Sequence, residues 1–183
     1  MIYAVGALFF ITVGQHSGME GIMPYFSVLT VSDSCSRGTR EDGSGPTIIR
    51  LLEEAGYTRV DYRITEDGVE PVSQFIREMC TADVDLLLTT GGTGFSPRDF
   101  TPEATDLVCS RKVPGIPEML RYRSSKKVKS AWLSRGTAGI RGNTLVVNLP
   151  GSVKAVTEYI EFLLPILPHA LEVLHGSVDR CGG

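Results

Sequence analysis

From Pro24 the chain alternates short apolar, β-branched runs with stretches whose apolar residues return every three or four positions. The run YFSVLTV, residues 25–31, predicts a strand. Behind the polar loop SDSCSRGTREDGSG, residues Ile48, Ile49, Leu52 and Ala55 share one face of a helix that Pro46 opens in its first turn and Gly56 closes. TRVDYRI, residues 58–64, predicts a second strand with Val60, Tyr62 and Ile64 on one face. After TEDGVE, Pro71 opens a helix striped by Val72, Phe75, Ile76 and Met79. DLLLTT, residues 85–90, is apolar on both faces, as a parallel strand covered on two sides must be. Thr101 and Pro102 read as a helix cap and the first helical residue. GIPEMLRYR then predicts a short helix, TLVVNL a fourth strand, and Val153, Val156, Ile160, Leu163 and Leu167 a helical stripe interrupted by Pro165 and Pro168.

Strands alternating with helices, without a fixed-period repeat, predict one α/β domain: a single doubly wound, mostly parallel sheet with helices on both faces. Its bounds fall at residues 24–176, with 1–23 as an N-terminal extension and 177–183 as a C-terminal tail. The opening MIYAVGALFFITVG is apolar and uncharged, too short to span a bilayer and without the basic flank of a secretory signal. It reads as an extension outside the fold, against a weak signal or anchor, or an extra packed element. No membrane span is expected.

With 183 residues, 42% of them hydrophobic, the chain has enough apolar surface for a proper core. A net charge of -3 argues against a general nucleic-acid binder, which needs a broad positive surface. The average hides an asymmetry. Between Met119 and Thr157 there is no acidic residue, yet eight of the 18 Lys and Arg residues lie there: Arg121, Arg123, Lys126, Lys127, Lys129, Arg135, Arg141 and Lys154. This stretch is either a field for a small anionic ligand or a solvated basic surface. Cys35, Cys80, Cys109 and Cys181 form no C-x-x-C, and His16, His169 and His175 no metal-ligand spacing. Cys80 and Cys109 fall in or at the end of apolar helical patterns and read as buried reduced thiols of a reducing compartment, the cytoplasm; Cys35, in a polar loop beside Arg37, is the candidate reactive thiol.

The predicted strands end in SDS, EDG, GGTG and PGS, and ligands of doubly wound sheets gather at such carboxyl ends. Gly91, Gly92 and Gly94 lack Cβ atoms, so a turn built from them either brings backbone N–H groups against a bulky anion or merely makes a tight connection. The pattern is neither G-x-x-x-x-G-K-[ST] nor G-x-G-x-x-G. The charged continuation Arg98-Asp99 favours the anion: a guanidinium forks onto phosphate oxygens, and a carboxylate holds Mg²⁺ or orients a nucleophile.

TTGGTGFSPRDFTPEAT, together with LTVSDSCSRG and LSRGTAGIRGNTLVVNLPGS, resembles the molybdopterin adenylyltransferase family, which includes the MogA and MoaB proteins and the G domain of gephyrin. The likeness runs from about Phe26 to His175, with the three motifs in the family's order. It implies AMP transfer: the terminal phosphate of molybdopterin attacks the α-phosphate of ATP, releasing pyrophosphate, with Mg²⁺ required. By the same resemblance Asp67 and Asp99 match the family's two functional aspartates, as catalytic and metal-binding residues, while Gly91, Gly92, Thr93 and Gly94 form the nucleotide-contacting turn beside Arg98. Ser32, Asp33, Ser134, Arg135, Pro150, Gly151 and Ser152 match segments lining the substrate pocket. A homotrimer is implied, with metal insertion left to a separate molybdenum insertase. Two positions depart from the pattern: Glu66 stands where the family usually has Pro, and Phe100 where it has Val. Glu66 either joins a metal shell or points to water. The competing reading is a non-catalytic trimeric scaffold module like the gephyrin G domain; the presence of both Asp67 and Asp99 favours catalysis.

Overall fold

β-Branched and leucine-rich runs make the centre of a six-stranded sheet. The strands β1 (Tyr25–Val31), β3 (Leu86–Thr90) and β6 (Thr144–Leu149) are buried from end to end apart from Tyr25. With β2 (Thr58–Thr65) they run parallel in the order β2-β1-β3-β6, and the short β5 (Ala138–Arg141) and β4 (Arg111–Lys112) continue the sheet antiparallel beyond β6. The structure is a computed structural model and describes residues 24–81 and 83–176; the extension at 1–23 and the tail at 177–183 lie outside the described residues.

Period-2 alternation divides the core between the faces. Phe26, Val28, Leu86, Leu88, Leu145 and Val147 pack under α2 (Ser44–Glu54), α5 (Gly115–Ser125), α6 (Val153–Leu163) and α7 (Leu167–Leu174). Leu29, Val31, Leu87 and Val146 pack under α3 (Val69–Met79) and α4 (Thr101–Val108). At about 1.5–3 kcal/mol for each fully buried aliphatic side chain, Leu86, Leu87 and Leu88 alone outweigh the exposed Arg50–Glu54 pair, which is worth about 0–1 kcal/mol. Among the described residues no helix is long and apolar enough to cross a membrane.

Several expectations change. The four expected strands become six, because β4, with two residues, and β5, with four, are too short to show a period. β2 is an edge strand, so Val60 is 48% exposed and its inward face begins only at Tyr62. The helical stripe of the last third is interrupted at Pro165, between α6 and α7, as expected, but Pro168 lies in the first turn of α7 and does not break it. Thr101 is the first residue of α4 rather than its cap: its hydroxyl donates to the carbonyl of Gly91 at 2.9 Å, reaching back to the turn before the helix. Cys80 and Cys109 are free and half-buried, and burial pushes their thiols up to about 12 and about 11, away from reactivity. Cys35 is also free, but buried in the single turn α1 (Asp33–Ser36), where Arg40 Nη2 lies 3.6 Å from its Sγ.

Because β2, β1, β3 and β6 are parallel, their carboxyl ends share one edge. The chain leaves β1 for β2 on one side and returns to β3 on the other, so the gap between β1 and β3 is a topological switch point.

Candidate functional site

At that switch point the glycine turn folds flat against the sheet. Gly91 and Gly92 have φ of 97° and 64°, in the left-handed region. A Cβ on Gly91 would run into the Val31 carbonyl, and one on Gly92 into Thr101 Oγ1. The turn is pinned from three sides: Gly91 N–H donates to Leu149 O at 3.1 Å, Thr101 N–H to Gly92 O at 3.1 Å, and Arg135 N–H to Thr93 O at 2.9 Å. Among the described residues the N–H groups of Gly92, Thr93 and Gly94 donate to no protein acceptor. Three unspent donors at the end of a strand make a seat for an anion.

Three carboxylates surround the seat. Asp33 and Asp67 bind each other's backbone: Asp33 N–H donates to Asp67 Oδ2 at 3.0 Å and Asp67 N–H to Asp33 Oδ1 at 3.2 Å, which locks the end of β1 to the end of β2. Arg98 forks onto Asp33 at 2.6 and 3.0 Å and donates to the carbonyl of Asp67 at 3.1 Å. That guanidinium holds the Asp33 carboxyl below its usual value. Asp67 goes the other way: burial raises it, with the negative charges of Asp33 and Asp99 adding to the effect over the hydrogen bond from Asp33 N–H. Asp99 Oδ2 accepts from Ser96 N–H at 3.0 Å and lies 2.8 Å from where a Cβ on Gly94 would stand.

Two adjoining clefts open here. The first, about 610 Å³, is lined by Ser32, Asp33, Asp67, Asp99, Gly91, Gly92, Thr93, Gly94, Pro150, Gly151 and Ser152. Hydroxyls, glycines and carboxylates dominate it. The second, about 560 Å³, shares Thr93, Gly94, Pro150 and Ser152 with the first and continues over Val128, Leu133, Ser134, Lys154, Glu158 and Tyr159. Of the residues expected at a site, only Arg98 and Arg135 line neither cleft, and Glu66 is exposed outside both.

The two arginines are spent on the protein. Arg98 closes on Asp33 rather than standing open for phosphate. Arg135 donates from Nε to Gly94 O at 2.8 Å, from Nη2 to Asp99 O and from Nη1 to Glu103, so it staples both ends of the loop 94–99 to α4. The basic stretch is thus neither a bare solvated surface nor a uniform phosphate field. Arg121 holds the Gly136 carbonyl at 2.8 Å, Arg123 and Lys127 lie over Phe162, Lys126 over Tyr122, and only Lys154 lines a cleft. Arg135→Ala is expected to lower the midpoint of thermal unfolding by about 5 °C, since it strands two loop carbonyls and a carboxylate. Lys126→Ala, which loses an exposed contact at 4.4 Å from the Tyr122 ring, should shift it by about 1 °C or less. Equal shifts in two melting curves would overturn the stapling role.

Several residues not expected at the site stand beside it. Arg37 and Arg40 line the first cleft, and Arg40 Nη2 donates to Ser32 Oγ at 3.2 Å. Asp42 anchors the loop behind it: burial alone would raise its carboxyl, but hydrogen bonds from Thr30 (2.6 Å), Tyr62 (2.7 Å), Gly45 and Ser44 hold it below its usual value. Asn148 ties β6 to β3 and α4 through Thr89 and Thr105, each at 2.9 Å, and accepts from Thr137 N–H at 3.1 Å. For residues 32–44 the one available signal was the density of Ser, Asp and Arg, of which Asp33 bonds to Asp67 N–H and to Arg98, and Asp42 to Tyr62, while Arg40 and Ser44 bond within the segment.

Residues 27–169 match the family described as a probable molybdopterin binding domain. A molybdopterin adenylyltransferase of Helicobacter pylori is 39% identical over 84% of this chain and 89% of its own length. Gephyrin of Dictyostelium discoideum is 39% identical over 82% of this chain, which spans 22% of that protein. In structure the chain is similar to the molybdopterin biosynthesis enzyme MoaB from Thermus thermophilus, with a TM-score of 0.79 and 42% identity over 84% of this chain and 98% of that one.

Proposed function

Because the chain belongs to this family of molybdopterin-binding domains, we propose that it is a molybdopterin adenylyltransferase, moving AMP from ATP to the terminal phosphate of molybdopterin with release of pyrophosphate in molybdenum cofactor biosynthesis. The observation that carries this reading is the row of free N–H groups at Gly92, Thr93 and Gly94, set among Asp33, Asp67 and Asp99 at the mouth between two clefts. A reaction that joins two phosphate-bearing molecules needs both held with their phosphates at one point. The shared border of Thr93, Gly94, Pro150 and Ser152 is that point.

The chain's own contribution is alignment and charge. Unspent N–H groups of the turn bind phosphoryl oxygens, and the amino end of α6, capped by Ser152 through Ala155 N–H at 3.3 Å, faces the same border. The Asp33–Asp67 backbone exchange, fixed by Arg98, keeps Asp67 in place against its own repulsion from Asp99. The donor set fits Mg²⁺: Asp67 and Asp99 are hard oxygen ligands too few for an all-protein cage, the pattern of a cation whose shell is completed by substrate phosphates. When bound, Mg²⁺ neutralises charge on the phosphates as the transfer proceeds.

By the family resemblance the assembly is a homotrimer in the cytoplasm, with a separate molybdenum insertase downstream. Exposed Trp132 and Leu133, on the 3₁₀ turn Lys129–Leu133 beside Tyr122, offer apolar surface for such contact. Light scattering should give three times the chain mass, and a stable monomer at working concentration would refute the trimer. The catalytic reading is tested by pyrophosphate release: it should require ATP, Mg²⁺ and molybdopterin together, and its absence from folded protein would refute transfer.

A further inference from the structure

Two guanidiniums at the first cleft have no carboxylate partner. Arg37 and Arg40 are the only cationic side chains among the described residues that line it. Arg37 makes no side-chain hydrogen bond or ion pair among the described residues and reaches Asp33 only as a nearby charge. Arg40 uses Nη2 alone, on a hydroxyl, Ser32 Oγ at 3.2 Å, and on a thiol, Cys35 Sγ at 3.6 Å. The arginines on the other side of the glycine turn are spent, Arg98 on Asp33 and Arg135 on Glu103 and two loop carbonyls. A guanidinium carries five N–H donors in a planar fork, so most of the donors on Arg37 and Arg40 are open to a ligand.

Exposed arginines without partners are common on protein surfaces, but the backbone that carries these two is tied down. Gly38, with φ at 68°, turns the chain back after α1, and the Ser34 carbonyl accepts from Thr39 N–H at 2.9 Å, Arg40 N–H at 3.2 Å and Thr39 Oγ1 at 3.0 Å. Beyond Arg40, Asp42 gathers Thr30, Tyr62, Ser44 and Gly45, which fastens the segment to β1, β2 and the start of α2. Only a glycine fits at position 45 there: a Cβ would stand 2.6 Å from Thr30 Oγ1 and 2.7 Å from the Tyr62 ring. A ligand that meets the two guanidiniums therefore has side chains to order and no loop.

Phosphoryl transfer needs what this pair offers. A phosphate oxygen of molybdopterin attacks the α-phosphorus of ATP, and the bond from that phosphorus to the oxygen shared with the β-phosphate breaks, leaving its electron pair on that oxygen. Negative charge thus builds on the departing pyrophosphate, where fixed positive groups stabilise the transition state. The three free N–H groups of the turn, at Gly92, Thr93 and Gly94, seat one phosphoryl group and not three. Two forked cations match the two phosphoryl groups that leave.

We propose that Arg37 and Arg40 are the leaving-group residues of the reaction, receiving the departing pyrophosphate at the first cleft. The inference rests on the adenylyltransferase reading for the presence of a triphosphate; its content is the pair of guanidiniums and the group they take.

Calorimetric titration with inorganic pyrophosphate, orthophosphate and AMP, each with Mg²⁺, tests it on the parent, Arg37→Gln, Arg40→Gln and the double variant. The parent should bind pyrophosphate at least about tenfold more tightly than orthophosphate. Each single substitution should weaken pyrophosphate about tenfold and the double about 50-fold or more, while AMP affinity stays within about twofold, because only the charge-assisted bonds to the leaving group are lost. Unchanged pyrophosphate affinity in the double variant overturns the proposal. So does an equal loss of AMP and pyrophosphate, which marks a structural role for the loop. Arg37→Gln removes no contact within the protein, so its result decides even where Arg40→Gln does not fold. Pyrophosphate release by the parent with ATP and molybdopterin is measured alongside. A parent that turns over without arginine-dependent pyrophosphate binding fails this assignment alone; one that releases none fails the transfer reading, and this proposal with it.

Discussion

Asp99→Asn is expected to lower turnover by a factor of about 100 or more, comparable with removing one preorganised electrostatic group, while leaving the fold close to the parent's. The substitution keeps the shape and keeps an oxygen to accept from Ser96 N–H, so the loop 94–99 retains its bond at 3.0 Å and its staple to Arg135. Only the charge beside the glycine turn is lost. Asp67→Asn should reduce turnover in the same direction, with a second signature. In the folded protein burial raises the Asp67 carboxyl above its usual value, helped by Asp33 and Asp99. A raised native value means that this group's stabilising contribution is present below the ordinary carboxylate value and is lost as pH rises through the raised one. At neutral pH Asp67 therefore opposes folding, and the asparagine variant should unfold at the parent's temperature or above it. Turnover and melting curves for both variants decide the matter. Parent-like turnover in Asp99→Asn would remove it from the reaction and leave it a loop acceptor.

Gly92→Val has the other large expected effect. From the sequence, a side chain at this position obstructs the approach of backbone to nucleotide; the structure adds that it first obstructs the protein. With φ at 64° a β-branched residue is strained, and its Cβ would collide with Thr101 Oγ1 and come within 3.1 Å of Asp67 Oδ1. Thr101 N–H donates to Gly92 O, so relieving the collision breaks the link between the turn and α4. The expected outcome is a fall of about 5 °C or more in thermal midpoint together with nucleotide affinity reduced at least about tenfold in the folded fraction. Calorimetric titration with ATP well below the midpoint separates the two. Parent-like affinity there would mean that the turn does not seat the nucleotide.

Where local pattern sets the structure, the sequence was legible. The leucine run of β3 and the striped helices made the doubly wound core readable, because burial on two faces and on one face leave different periods. The carboxyl-end motifs did meet at one edge, since parallel strands leave no other arrangement. What escaped depends on contacts across the fold. β5 and β6 are joined through Gly142 and Asn143, and that two-residue turn was the available hairpin signal for β5. Nothing near Arg98 or Arg135 foretells that their guanidiniums are taken by Asp33 and by the carbonyls of Gly94 and Asp99. Glu158 was hidden for the opposite reason: a charged residue inside an amphipathic helix reads as solvated, yet it is buried beside Ser124 and Lys127.

Following the phosphorus atoms of ATP tests the central claim most directly. With the α-phosphate labelled, incubation with folded protein, Mg²⁺ and molybdopterin should place the label in a pterin-containing product, while label on the γ-phosphate leaves as pyrophosphate. Both transfers should occur in equal amount, and neither without molybdopterin. Label from the α-phosphate recovered only as free AMP, or remaining in ATP while the pterin is unchanged, would contradict it.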